Sequence, residues 1–124
     1  MAGDQIPIGR FSLITRLSQK ALRLYDERGL LVPDTKDIAT GYRYYTARQI
    51  ATGVSIKELC GLGFPLSEIG TILAAKEAGD SGTIRQLFRK RHGAIRSEVI
   101  RLQQIEAILE ESGASLEMMF MSFN

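Results

Sequence analysis

One cysteine and one histidine are all that these 124 residues contain of either type, and that scarcity removes two kinds of chemistry. Cys60 has no second thiol with which to close an internal disulfide, and with His92 it assembles no zinc-ligand spacing within one chain. No metal and no cofactor are expected. Cys60 reads instead as a small core residue of its helix, and His92 as a surface or seam residue. Long apolar runs are also missing. No window approaches the roughly 18 apolar residues of a spanning helix, and the start, Met1 to Pro7, lacks the basic-then-apolar order of a secretory signal. A cytoplasmic protein with no membrane partner is expected. Nor is there a nucleophile with its base, a carboxylate dyad or a phosphate-cradling glycine loop, so the sequence does not read as an enzyme.

What is present fits one small domain plus one long element, because domains cluster near roughly 100 to 150 residues. Hydrophobic residues at 44% and charged residues at 24% are ordinary for a globular chain. The net charge of +2 becomes informative only when divided along the sequence. From Arg10 to Arg48 there are eight basic residues (Arg10, Arg16, Lys20, Arg23, Arg28, Lys36, Arg43, Arg48) against four acids (Asp26, Glu27, Asp34, Asp37), and the remainder is near neutral. A polyanion would therefore meet the N-terminal half, where Lys and Arg displace counterions from phosphates. A solvated basic surface is the other reading of the same charges.

All three prolines fall within residues 6–77, among apolar runs broken by turn signals. Ile6-Pro7-Ile8 reads as a short edge strand. A helix over 9–15 follows, with Phe11 and Ile14 on one face, and after a tight turn Ser18 caps a second helix running to Arg28. Its apolar positions are Ala21, Leu22 and Tyr25, and Gly29 stops it. Two short helices joined by a tight turn make a helix-turn-helix candidate. The polar stretch 34–41 and the strand-forming Tyr42-Arg43-Tyr44-Tyr45 predict a β-hairpin, or wing. Thr46 then caps a helix to about Leu62, with Ile50, Val54, Ile56 and Leu59 apolar. Pro65 opens another, to about Glu77, with Leu66, Ile69, Ile72 and Leu73 toward the core and Glu68 in its first turn.

Residues 78–82 are small and read as a linker, with Asp80, Ser81 or Thr83 placed to cap the last helix. Residues 83–112 hold neither proline nor a glycine pair, and a helix from Thr83 to Glu111 would be about 40 Å long. Ile84, Phe88, Arg91, Ile95, Glu98, Leu102, Ile105 and Leu109 follow a three-four spacing, a coiled-coil seam interrupted at Arg91 and Glu98. So long a rod outreaches a small domain, which favours pairing with a second chain over packing back. Gly93 costs this helix about 1 kcal/mol relative to alanine, explained only by some close contact. Residues 113–124 form an apolar tail.

Taken in order, Ile8-Gly9-Arg10-Phe11, Leu17 to Pro33 (LSQKALRLYDERGLLVP), Gly41-Tyr42-Arg43-Tyr44-Tyr45-Thr46 and Leu62 to Ile69 (LGFPLSEI) resemble the MerR family of winged helix-turn-helix regulators. The resemblance spans residues 6–77, and the rod falls where that family has its dimerisation helix. It implies a mainly α fold: a winged helix-turn-helix domain with a small β-hairpin wing over 1–77, then a long antiparallel coiled-coil dimerisation helix. It further implies a homodimer that binds a pseudo-palindromic site in double-stranded promoter DNA and distorts it, acting on RNA polymerase indirectly.

The resemblance also assigns residues. Ser18 to Arg28 matches the recognition helix, in which Lys20 and Arg23 reach bases or flanking phosphates and Ser18 offers its hydroxyl and helix N-terminus to a phosphate. Tyr42, Arg43 and Tyr44 match the wing, with Arg43 the foremost phosphate contact. Arg48 and Lys57 fall on the helical pair used as a second wing, and Tyr25 matches a tyrosine whose hydroxyl reaches the DNA backbone. Tyr44 and Tyr45 read equally as packing residues of the hairpin. Asp26 reads as pairing a nearby arginine, and Glu27 as structural. Leu24 departs from the family, where an aromatic usually precedes Tyr25. Ile84, Phe88, Ile95, Leu102, Ile105 and Leu109 would form the dimer interface.

Metal-sensing members keep cysteines near the start of the dimerisation helix and in the loop after it, and this chain has neither, which points to a non-metal effector. The tail over 113–124 admits three roles: docking on the partner's DNA-binding domain, leading into an effector domain absent from these residues, or lining an apolar pocket at the dimer interface. A small architectural factor of the excisionase or partition type would share the first part without the rod. A pure protein-interaction module would show no salt-sensitive binding to duplex DNA.

Overall fold

The computed structural model describes residues 5–122. Met1 to Asp4, Phe123 and Asn124, over which the absent signal sequence and the end of the tail were read, lie outside the described residues. The chain divides into two units, one ending at Ile84 and one beginning at Arg85.

In the first unit, β1 (Ile6–Pro7) passes directly into α1 (Ile8–Thr15), and after Arg16 to Ser18 comes α2 (Gln19–Glu27). Ile8, expected at the end of the strand, instead opens the helix. This shifts the buried face of α1 to Ile8, Phe11 and Thr15, and leaves Ile14 exposed. Proline at position 7 explains the change, since it stands at the N-cap with extended backbone, where its missing N–H costs nothing. The turn into α2 is closed by side chains: the Ser12 hydroxyl donates to the Leu17 carbonyl at 2.5 Å, and that of Thr15 to the Phe11 carbonyl at 2.8 Å. Ser18 caps α2 by accepting the Ala21 N–H at 3.0 Å. Gly29, at φ +69°, ends it with the Leu30 N–H reaching back to the Tyr25 carbonyl at 2.8 Å.

β2 (Thr35–Lys36) and β3 (Arg43–Tyr45) form the hairpin, and β1 pairs with the other edge of β3, so the wing is a three-stranded antiparallel sheet in the order β1-β3-β2. Tyr44 lies in register with Pro7 on one side and Thr35 on the other. Asp37 shapes the connecting turn by accepting the N–H groups of Ala39 at 2.8 Å and Thr40 at 3.1 Å.

α3 (Ala47–Gly61) and α4 (Leu66–Glu77) follow close to their expected bounds. Their buried faces differ in part from expectation. On α3 these are Gly53, Ile56 and Leu59, with Val54 exposed, and on α4 they are Ile69, Ile72 and Ala75, with Leu66 and Leu73 only half-buried. Gly53 is required by close packing: a Cβ there would lie 2.6 Å from Thr15 Cγ2 and 3.4 Å from Phe11 Cε2. The centre of the core is Phe11 stacked on Tyr45, with ring centroids 4.1 Å apart and planes within 9°, together with Leu22, Ile56 and Ile69.

The last helix, α5, runs Ser81–Ser122, and its 42 residues would extend about 63 Å. Asp80 caps its start by accepting the Thr83 N–H at 3.1 Å. The helix was expected to end near Glu111 with a separate tail. It continues instead, because residues 113–122 contain no proline and Leu116 and Phe120 carry the three-four spacing on past Leu109. Gly93 meets open space within this chain. Among the described residues no helix is long and apolar enough to cross a membrane.

Candidate nucleic-acid interface

Because α2 buries Leu22 and Tyr25, its opposite side must carry the residues two positions to either side of each, about 200° round the helix, which are Lys20, Arg23, Leu24 and Glu27. All four are exposed. Ser18 is exposed at the N-terminus, and with its oxygen accepting from Ala21 the hydroxyl hydrogen remains a donor for an anion. Ser18, Lys20 and Arg23 are thus brought together on one helix.

The wing is tied to that helix by an acid. Asp26 Oδ2 accepts from Arg43 Nε at 2.8 Å and lies 3.1 Å from Lys36 Nζ, so one carboxylate joins α2 to both β3 and β2. The side chains of Asp26 and Arg43 are only 11% and 18% exposed, which strengthens the pair relative to a surface one. Burial by itself would raise the Asp26 carboxyl, but hydrogen bonds from Arg43 and Lys36 and their positive charges outweigh it and hold it below its ordinary value. The arginine expected to meet phosphate therefore already has one nitrogen committed to Asp26. Lys36, which the sequence showed only as one basic residue among several, is placed in the same cluster by the register of the hairpin. Tyr42 stands out at 63% exposure next to it, whereas Tyr44 is half-buried between its two strand partners. Tyr45 is fully buried, its hydroxyl unpartnered and raised by burial above the ordinary tyrosine value.

Tyr25 does not join this surface. It is 6% exposed and its hydroxyl lies 3.7 Å from Cys60 Sγ, and burial followed by the Cys60 contact pushes it up to about 12. That places Cys60 in a packing role beside α2. Arg48 and Lys57 are both exposed on α3, but nine residues separate them, and at about 100° per residue they point to opposite sides of the helix. Arg48 borders a hollow shared with Gly29, Leu30 and α4 residues including Gly70 and Lys76.

Arg16 was not singled out by sequence. It is exposed in the turn between α1 and α2 with φ 65°, the left-handed region that an arginine adopts only at a cost. The readable signal was a helix end at Thr15 without glycine or asparagine to follow it. Among the described residues no cluster of three or more His, Cys, Asp or Glu is placed to hold a metal ion.

Residues 6–76 match the MerR HTH family of regulatory proteins. The chain belongs to that family. Its relatives are transcription regulators rather than enzymes: the transcriptional regulator BrlR of Pseudomonas aeruginosa is 32% identical over 111 residues, covering 90% of this chain and 41% of BrlR. Among solved structures, a MerR family transcriptional regulator from Bacillus cereus superposes with a TM-score of 0.71 at 25% identity, covering 86% of this chain and 78% of that one. EcmrR, solved by cryo-electron microscopy as a DNA complex within EcmrR-RPo, gives 0.68 at 32% identity, over 86% of this chain and 39% of its own. This MerR-family chain therefore spans less than half the length of BrlR and of EcmrR.

Proposed function

We propose that this chain is a sequence-specific DNA-binding transcription regulator that works as a homodimer on a pseudo-palindromic promoter duplex. The observation that carries this reading is the exposed face of α2, with Lys20 and Arg23 outward, held against Lys36 and Arg43 of the wing by Asp26. A helix of that kind enters a major groove with Lys20 and Arg23 toward base acceptors and phosphates, while Ser18, Tyr42, Arg43 and Tyr44 hold the backbone. Arg48 and Lys57 serve at most one at a time, given their opposite directions. Tyr25 contributes by fixing α2 on the core.

Pairing through α5 is supported by the apolar side chains that its surface leaves exposed, among them Phe88, Ile95, Leu102, Ile105 and Leu109, with Ile84 half-buried at the start. Val99, Leu116 and Phe120 extend the same stripe. Charge supports an antiparallel arrangement. From Ser81 to Ser97 the helix carries Arg85, Arg89, Lys90, Arg91 and Arg96 with no acid, whereas Glu98, Glu106, Glu110, Glu111 and Glu117 follow with Arg101 alone against them. Antiparallel helices set the basic half of each against the acidic half of the other, and parallel ones would stack like on like.

Two recognition helices then meet successive grooves roughly 34 Å apart on one side of the duplex. Bending and untwisting the DNA between them carries the signal to RNA polymerase indirectly, a reading to which the EcmrR-RPo assembly lends support. A small, non-metal effector acting through a domain outside these residues fits the much greater length of BrlR. The test is binding to promoter duplexes over a salt series: affinity that falls steeply and linearly on a log-log scale, with preference for particular sequences, is expected. Binding that ignores duplex DNA at low ionic strength overturns the proposal.

A further inference from the structure

Leu24 is the large apolar residue on the outward side of α2, with only the methyl of Ala21 beside it. Steps of about 100° per residue place it about 40° from Lys20 and about 60° from Glu27, near the middle of the face. It keeps 36% of its surface exposed in a shallow hollow whose other walls are Ser18, Lys20, Ala21, Arg23 and Glu27. A lone exposed leucine is common and by itself means little. Here the neighbours give it meaning, because Lys20 and Arg23 beside it are complementary to a polyanion and direct this side of the helix toward a groove.

We infer that Leu24 is a specificity-determining residue that receives the C5-methyl group of a thymine in the major groove. The inference rests on the proposed DNA-binding function and deepens it. Of the groups that base pairs present in that groove, the thymine methyl is the apolar one, and the others are hydrogen-bond donors or acceptors that a leucine cannot satisfy. A base-edge donor or acceptor pressed against Leu24 would lose water without gaining a partner, so the same side chain disfavours the other bases at that step.

The test uses duplexes that the full chain selects from a randomised pool, with each thymine then replaced singly by deoxyuridine, which deletes only the methyl. The wild-type chain is expected to lose about fourfold in affinity at one thymine of a half-site, the equivalent of one buried methyl, and little at the others. Leu24→Ala is expected to bind the thymine and deoxyuridine duplexes within a factor of two of each other, and Leu24→Met, which keeps an apolar tip, to restore the preference. Equal wild-type binding after every replacement, or an undiminished preference in Leu24→Ala, overturns the inference. Failure to select any duplex at all is a different result and overturns the DNA-binding reading beneath it.

Discussion

Lys20 makes no ion pair among the described residues and stands free on the outward face of α2, whereas Arg43 has its Nε on Asp26. Their replacement should therefore have different signatures. Lys20→Ala removes a donor to base edges, so the preference for the selected sequence over its variants should relax by about 1 to 3 kcal/mol with folding unaffected. Competition binding against single-base variants measures this, and an unchanged specificity ratio would show that the wrong face has been assigned. Arg43→Ala removes a phosphate contact and also leaves the mostly buried Asp26 carboxylate with the more exposed Lys36 in place of two cations. Binding should weaken for all sequences alike, the salt slope should fall by about one, and the melting temperature should drop as well. A pure phosphate contact would leave the melting temperature unmoved. Acid provides a separate check on Asp26. Its carboxyl is held below the ordinary value of 3.8, so its stabilisation is complete above that value and is lost as pH falls through the lower, folded-state one. Urea unfolding over a pH series should show this loss below about pH 4, and Asp26→Asn should flatten that part of the curve.

Helices α1 and α3 are brought together where Gly53 faces Thr15. On an isolated helix, alanine in place of glycine adds about 1 kcal/mol of stability. Here the new Cβ would fall 2.6 Å from Thr15 Cγ2, and Thr15 is buried with its hydroxyl bound to the Phe11 carbonyl, so it has little room to turn. Gly53→Ala should destabilise the first unit by about 1 to 3 kcal/mol, measured by chemical denaturation, and a gain in stability would mean that the two helices can separate without loss. No sequence pattern announces such a contact, and this is the general division in what was legible. Caps, stops and periodicity are local, so Ser18, Gly29, Thr46 and Pro65 bounded their helices within a residue or so. The face each helix buries depends on its neighbours. The sequence therefore set Ile14 and Val54 on the apolar faces of their helices where the fold buries Thr15 and Gly53, and ended α5 near Glu111 although residues 113–122 hold no proline to stop a helix. The same limit applies to the interface: the period of α2 gave its outward residues and set Tyr25 on the apolar face, and Asp26 read as pairing an arginine, but the contact of Tyr25 with Cys60, the choice of Arg43 and the place of Lys36 beside it required the fold.

At the scale of the molecule, the proposed function requires two chains, and the apolar stripe on α5 is where they would meet. Leu102 is 51% exposed on the isolated chain and lies within the three-four spacing of the seam. Leu102→Asp sets a charge there that pairing would bury without a partner, at a cost of several kcal/mol counted over both chains. The variant should elute as a monomer while the helical content and unfolding of residues 6–77 stay as they were. It should also lose the tight binding to a two-half-site duplex, falling by about a hundredfold or more to the affinity of one half-site, because the second α2 no longer arrives at high effective concentration. Sedimentation and binding to duplexes with one or two half-sites separate these effects. If Leu102→Asp remains a dimer, α5 is not the pairing surface. If it becomes a monomer yet binds both duplexes as the unaltered chain does, pairing has no part in recognition, and α2 reads DNA one chain at a time.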